Sequence, residues 1–198
     1  MNSPLVTVVI PTIKPRKGFL RRAVNSVMAQ TFSNDVVPIE VAMDREHEGA
    51  AATRNRALMN VRSPWVAFLD DDDYFLPRHL EVLFANTSVE HDIYYSSCDV
   101  IGANFEEIDL SGTLRRGKEF DEEALRRDNY IPVTSLVRTE LAKQAWFGPP
   151  DHDPSSLYDD WGFYLRALDA GGSFLHIPEV TWVWHHHGRN TGGQGDRW

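Results

Sequence analysis

Four consecutive carboxylates, Asp70-Asp71-Asp72-Asp73, follow the apolar run Trp65-Val66-Ala67-Phe68-Leu69 and lead into Tyr74-Phe75-Leu76-Pro77. Carboxylates this close repel one another unless a cation joins them, and a hard divalent ion with oxygen ligands is the natural candidate. The run lacks the alternating ligands, the glycine and the closing Glu of an EF-hand loop. Acidic runs also serve as solvated faces or as favourable charge ahead of a helix, so taken alone it leaves both uses open. Three further groups could join the chemistry: Asp44 at the end of another apolar stretch, the pair Asp159-Asp160 ahead of Trp161, and His185-His186-His187 after Trp182-Val183-Trp184. Neutral imidazole binds zinc well, but three adjacent histidines do not easily face one ion and no cysteine is nearby.

The elements that must position these groups are legible from periodicity. Leu5 to Ile10 is a strand stopped by Pro11, and Leu20, Ala23, Val24, Val27 and Met28 recur at helical spacing. Pro38 to Met43 is a second strand, ending at Asp44, and Gly49 opens a helix carrying Ala50, Ala57, Leu58 and Val61. The run ending at Asp70 is a third strand, covered on both faces, after which Pro77 suits the first turn of a helix. Ile93 to Ser97 is a fourth. Strands alternating with helices predict βαβ units, a mostly parallel sheet and right-handed crossovers. Thr12, Asp44 and the Asp70 run then share the C-terminal edge of that sheet, where open α/β folds place their ligands.

Later segments read as a short helix from Asp121 to Arg127, a strand from Ile131 to Val137, and a helix capped by Thr139 and ending near Ala145. An amphipathic helix follows through Trp161, Tyr164, Leu165 and Leu168, ended by Gly171-Gly172. Two late strands are expected at Ser173–Ile177 and Val180–Trp184. Residues 102–120 read as a hairpin or loop.

Composition narrows the partners. The 198 residues are 42% hydrophobic and 25% charged, enough for one domain with a sizeable core, and no linker divides them. The net charge of −9 argues against nucleic acid, whose phosphates need clustered Lys and Arg. A single cysteine, Cys98, excludes an internal disulfide and favours a reducing compartment. No run approaches a bilayer span and the first residues lack a leader pattern, so a soluble, cytoplasmic protein without a transmembrane segment is expected.

Five segments in this order resemble the inverting family-2 glycosyltransferases with the GT-A nucleotide-sugar fold. Thr7 to Thr12 looks like the family's first strand, and Gly49 to Leu58 resembles its glycine-to-Ala-Arg-Asn segment. Phe68 to Asp73 with Pro77 is similar to the block holding its DXD motif. Asp159-Asp160-Trp161 with Arg166 matches its Glu-Asp-Trp…Arg block, with Asp for Glu at 159. His187 to Thr191 looks like its terminal histidine segment.

The resemblance implies a Rossmann-like α/β domain of the GT-A type over 1–198, binding the nucleotide with about residues 1–100 and the acceptor with about 101–198. It implies a metal-dependent inverting transferase using a nucleotide-diphosphate sugar, expected to be a UDP-sugar. Thr12, Asp44, Arg54, Asp70 and Asp72 would bind the donor. Asp72 and His187 would hold Mn²⁺ or Mg²⁺, with His185 the rival of His187, while Asp71 takes no ligand role and Asp73 is placed in support. Asp160 would be the general base, with Asp159 and Trp161 on the acceptor side. The acceptor would be a saccharide, a lipid-linked saccharide or a protein hydroxyl, and a homodimer is compatible with this. Two rival readings stand beside it: a nucleotidyltransferase, for which Thr12 to Gly18 is only faintly a phosphate loop, and a non-catalytic nucleotide-sugar-binding module.

Overall fold

A computed structural model describes residues 3–32, 37–87, 90–102, 117–153, 156 and 158–186. Seven strands form one sheet in the order β2-β1-β3-β6-β5-β7-β4. Strand β1 (Val6–Thr12) lies between β2 (Ile39–Met43) and β3 (Trp65–Phe68), parallel to both. Strand β6 (Ser135–Arg138) runs antiparallel between β3 and β5 (Ile93–Gly102). The long β7 (Phe174–His186) then pairs parallel with β5, and the two-residue β4 (Tyr74–Phe75) closes the edge antiparallel. The parallel pairings are the longer ones, so the sheet is mostly parallel by paired length.

The apolar runs alternate between two cores because both faces of the sheet are covered. Val6, Val8 and Ile10 of β1, with Trp65, Ala67 and Leu69, face helices α1 (Lys17–Met28) and α3 (His79–Ala85). Val9, Val66 and Phe68 face the other way, onto α2 (Ala50–Leu58), α4 (Glu122–Arg127), α5 (Thr139–Ala145) and α6 (Asp159–Asp169). Phe147 and Phe163 stack at 4.2 Å between ring centres, and Phe68 meets Phe147 edge-on at 4.8 Å.

Several boundaries differ from the sequence reading. Pro11 does not end β1, which pairs with β2 as far as Thr12. The nitrogen of Pro11 faces β3, whose pairing with β1 has already ended at Phe68, so no ladder bond is lost. The acidic run leads into β4 rather than directly into a helix, and α3 starts at His79 with Arg78 at its N-cap. Thr139 is the first residue of α5 rather than its cap. The strand expected from Ile131 is only Ser135–Arg138, and Met28 is 75% exposed despite its helical spacing. The two late strands are one strand: Ile177 pairs with Ser96 and Val180 with Ser97, leaving Pro178 and Glu179 in a bulge. Residues 103–116, the bulk of the expected hairpin or loop, lie outside the described residues. Among the described residues no helix is long and apolar enough to cross a membrane.

Candidate functional site

Because β1, β2 and β3 are parallel, Thr12, Asp44 and Asp70 do arrive at one sheet edge. Two antiparallel steps through β6 make β5 and β7 run the same way as β3, so β7 delivers His185 to that edge as well. The sheet therefore brings four separate stretches of sequence together.

The four carboxylates split into two sets. Asp70, Asp72 and Asp73 each offer an oxygen, all within 4.8 Å of one another. Asp71 turns away: its Oδ2 accepts from Thr12 Oγ1 at 2.6 Å and its Oδ1 from Arg16 Nη1 at 2.7 Å. Thr12 is fully buried, so its hydroxyl serves Asp71. Asp73 is buried and accepts from the His185 backbone N–H at 2.9 Å. Burial, then the charges of Asp72 and Asp70, push the Asp73 carboxyl well up. Burial likewise lifts Asp70, and lifts Asp71 to about 6 against the pull of Arg16. Burial and crowding of like charges both disfavour the ionised carboxylates at this edge.

Three guanidiniums line it. Arg54, on α2 and almost fully buried, bonds Asp70 with one nitrogen and Asp159 Oδ2 with the other at 2.7 Å. Burial alone would lower the Arg54 pKa, but Asp70 and Asp159 outweigh it and raise the group. Arg16 spans Asp71 and, at 3.2 Å, Asp72 Oδ2. Arg22 of α1 bonds the Asp72 carbonyl and lies 3.0 Å from His185 Nδ1.

Asp44 is 4% exposed and is built into its own turn, accepting from the N–H groups of Glu48 at 3.0 Å and Gly49 at 2.9 Å. Those bonds lower its pKa although burial opposes them. Gly49 has φ +92°, which a side chain would strain, so this entry into α2 needs glycine. Asp159 and Asp160 head α6. Asp160 Oδ1 accepts from Asn129 Nδ2 at 2.9 Å and from the Trp161 N–H at 3.0 Å. The Trp161 indole N–H donates to the Leu125 carbonyl at 2.7 Å, which ties its ring to α4, and His152 meets it edge-on. His187 lies outside the described residues, whereas His185 is buried at the cluster.

Sequence reasoning passed over Arg16, Arg22 and Asn129. Only the faint basic loop after β1 pointed at the first, and isolated residues far apart in the chain gave no signal for the others. Arg166, part of the last-helix block, binds the carbonyls of Ala145 at 2.8 Å and Gly148 at 2.9 Å and the Asp151 carboxylate at 3.0 Å. Its work is to hold the loop that leads into α6. Asn55, beside Arg54, exchanges two bonds with the Phe147 backbone, at 2.7 and 2.9 Å, for the same end.

The chain is similar to known proteins in sequence and in fold. Residues 36–146 match the family described as glycosyl transferase family 2. The chain is 30% identical over 137 residues to YwdF of Bacillus subtilis, described as an uncharacterized glycosyltransferase, covering 66% of this chain and 48% of YwdF. It is 35% identical over 118 residues to the succinoglycan biosynthesis protein ExoW of Rhizobium meliloti, covering 46% of this chain and 37% of ExoW. The chain thus spans less than half the length of each of these two relatives. Among solved structures, S. aureus TarS 1-349 in complex with UDP-GlcNAc superposes with a TM-score of 0.63 at 17% identity, over 97% of this chain and 60% of that one. The same protein in complex with UDP gives 0.63 at 18% identity, over 91% and 60%. The fold is therefore of the GT-A type, and the family match, which spans more than half of the chain, makes it a member of glycosyl transferase family 2.

Proposed function

We propose that this chain is the donor-binding and catalytic part of a glycosyltransferase that moves a sugar from a UDP-sugar to an acceptor hydroxyl with inversion at the anomeric carbon. One observation carries the reading. The carboxylate cluster at the sheet edge is joined through Arg54 to Asp159, so donor-side and acceptor-side acids form one continuous network. The UDP and UDP-GlcNAc complexes of TarS support the donor class.

The donor set is Thr12, Asp44, Arg54, Asp70 and Asp72. Three oxygen donors within 4.8 Å, two of them buried, suit a hard divalent ion such as Mg²⁺ or Mn²⁺. Asp72 would hold it with Asp70 or Asp73, and His187, or its rival His185, would be a further ligand. A divalent cation there supplies positive charge against that developing on the departing diphosphate. Asp160 is the general base, its Oδ1 oriented by Asn129 and by the start of α6. As the acceptor oxygen bonds to the anomeric carbon, the bond to the diphosphate oxygen breaks, the hydroxyl proton passes to the Asp160 carboxylate and the nucleoside diphosphate leaves. Inversion follows from this single displacement. Asp159 and Trp161 would lie on the acceptor side, and a saccharide, a lipid-linked saccharide or a protein side chain satisfies the chemistry of the acceptor. The buried single cysteine agrees with a cytoplasmic setting.

The test is incubation with UDP-GlcNAc, UDP-glucose and UDP-galactose, Mn²⁺ and a panel of saccharide acceptors. UDP release and the anomeric configuration of the product are followed by NMR. Release with a β-linked product from these α-donors is expected. An α-linked product, or no release from any donor, contradicts the reading.

A further inference from the structure

Arg16 sits on a 3-10 turn, Lys14–Arg16, that carries β1 into α1. Its fork reaches two neighbouring carboxylates at once, Asp71 Oδ1 at 2.7 Å and Asp72 Oδ2 at 3.2 Å. The two contacts are unequal. The Asp71 side chain is fully buried and is also held by Thr12 at 2.6 Å, whereas the Asp72 contact is the longer of the two. Arg16 is itself 18% exposed, and its guanidinium lies 5.9 Å from the Phe19 ring centre. Burial acts to lower its pKa, and the charges of Asp72 and Asp71 more than restore it.

Asp72 is also the carboxylate on which the metal site proposed above depends. Two physical effects then oppose an incoming divalent ion. Arg16 Nη2 must give up its Asp72 oxygen, and a fixed positive charge next to the ion repels it in a partly desolvated edge. We propose that Arg16 is a built-in counter-cation of Asp72 that a divalent ion displaces, so that Arg16 sets the metal affinity of the site. Asp71 is its anchor: Nη1 stays on Asp71 while Nη2 releases Asp72, and the movement is confined to one end of a side chain. This gives Asp71 a use that its exclusion from the carboxylate cluster otherwise leaves without one. The inference rests on the metal reading of the proposed function.

The experiment is calorimetric titration of Mn²⁺ into the wild-type chain, R16Q, R16K and D72N, each with and without UDP. R16Q is expected to bind Mn²⁺ about three- to tenfold tighter than wild type, the range a partly exposed charge pair supports. R16K keeps a point charge on Asp71 but loses the fork that spans both acids, so its affinity is expected between the two. D72N is expected to bind more weakly than any of them. Loss of binding in D72N with R16Q and R16K no tighter than wild type overturns the role of Arg16 and leaves the metal site standing. Absence of Mn²⁺ binding in wild type, R16Q and R16K alike, with UDP still bound, overturns the metal reading and this inference together.

Discussion

Arg54 Nη1 donates to Asp159 Oδ2 at 2.7 Å while the other end of the same guanidinium bonds Asp70. One side chain thereby fixes the end of β3 to the first residue of α6, and its own reach from Arg54 to Asp159 spans 105 positions of sequence. Arg is suited to the task because its planar fork serves two carboxylates at once and stays charged when buried. Removing it strands two acids. They are themselves 31% and 23% exposed, which moderates the cost to about 2–3 kcal/mol, below that of a fully buried pair. Arg54→Met is expected to show that loss in urea unfolding together with loss of sugar transfer, and Arg54→Lys a smaller loss of each. Unfolding midpoints equal to wild type in both variants would contradict the clamp.

Asp160→Asn tests the base. The amide is nearly the same size and still accepts from Asn129 and Trp161, but it cannot take a proton. Transfer is expected to fall about 10²–10⁴-fold with UDP affinity unchanged. Transfer at the wild-type rate would remove Asp160 from the chemistry. Asn129→Ala separates orientation from basicity: kcat is expected to fall with little change in donor KM.

A pH dependence of stability follows from His79. It is fully buried, stacks on Phe75 at 3.9 Å and bonds Thr181 Oγ1 at 2.7 Å through Nδ1. Burial lowers its pKa to about 3 from an ordinary 6.5. The unfolded chain therefore takes up a proton between those values that the folded chain does not. The contribution is fully present above pH 6.5 and is lost as the pH falls toward 3, at up to about 1.4 kcal/mol per pH unit. His79→Gln is expected to flatten the profile in urea unfolding between pH 6.5 and 4. An unchanged slope would contradict the assignment.

Gly162 tests the packing that seats α6, the helix that carries the proposed base. A Cβ at this position of α6 would overlap the Gly148 carbonyl oxygen and lie 2.6 Å from Pro149, which are backbone atoms of the loop that Arg166 holds. Gly162→Ala is expected to cost about 3 kcal/mol, read as a lower unfolding midpoint, because the loop must move away from α6. A midpoint within error of wild type would show that the loop gives way freely.

Much of this was legible in the sequence because its signals are local. Continuous apolar runs in β1 and β3 marked strands covered on both faces, and the order of βα units implied that Thr12, Asp44 and Asp70 meet at one edge. The carboxylate run and the Asp159-Asp160 pair stood out by type and spacing. The antiparallel insertion of β6 and the pairing of β4 with β7 did not, since such short strands take their place from tertiary contacts rather than from a pattern. Pro11 misled as a strand stop, and the two late strands were split where Pro178 lies. The nitrogen of Pro11 faces an unpaired side, while Pro178 is absorbed by a bulge. The ion pairs of Arg16 and Arg54 were out of reach because nothing in a sequence sets which acid a distant arginine will meet.

Calorimetric titration with UDP, GDP and dTDP, each in Mn²⁺ and in EDTA, on wild type and Asp72→Ala tests the metal-dependent nucleotide site most directly. UDP is expected to bind in preference to the other two, in a manner dependent on Mn²⁺ and weakened in the variant. Failure to bind any of the three, or UDP binding of equal strength in EDTA and in Asp72→Ala, would contradict it.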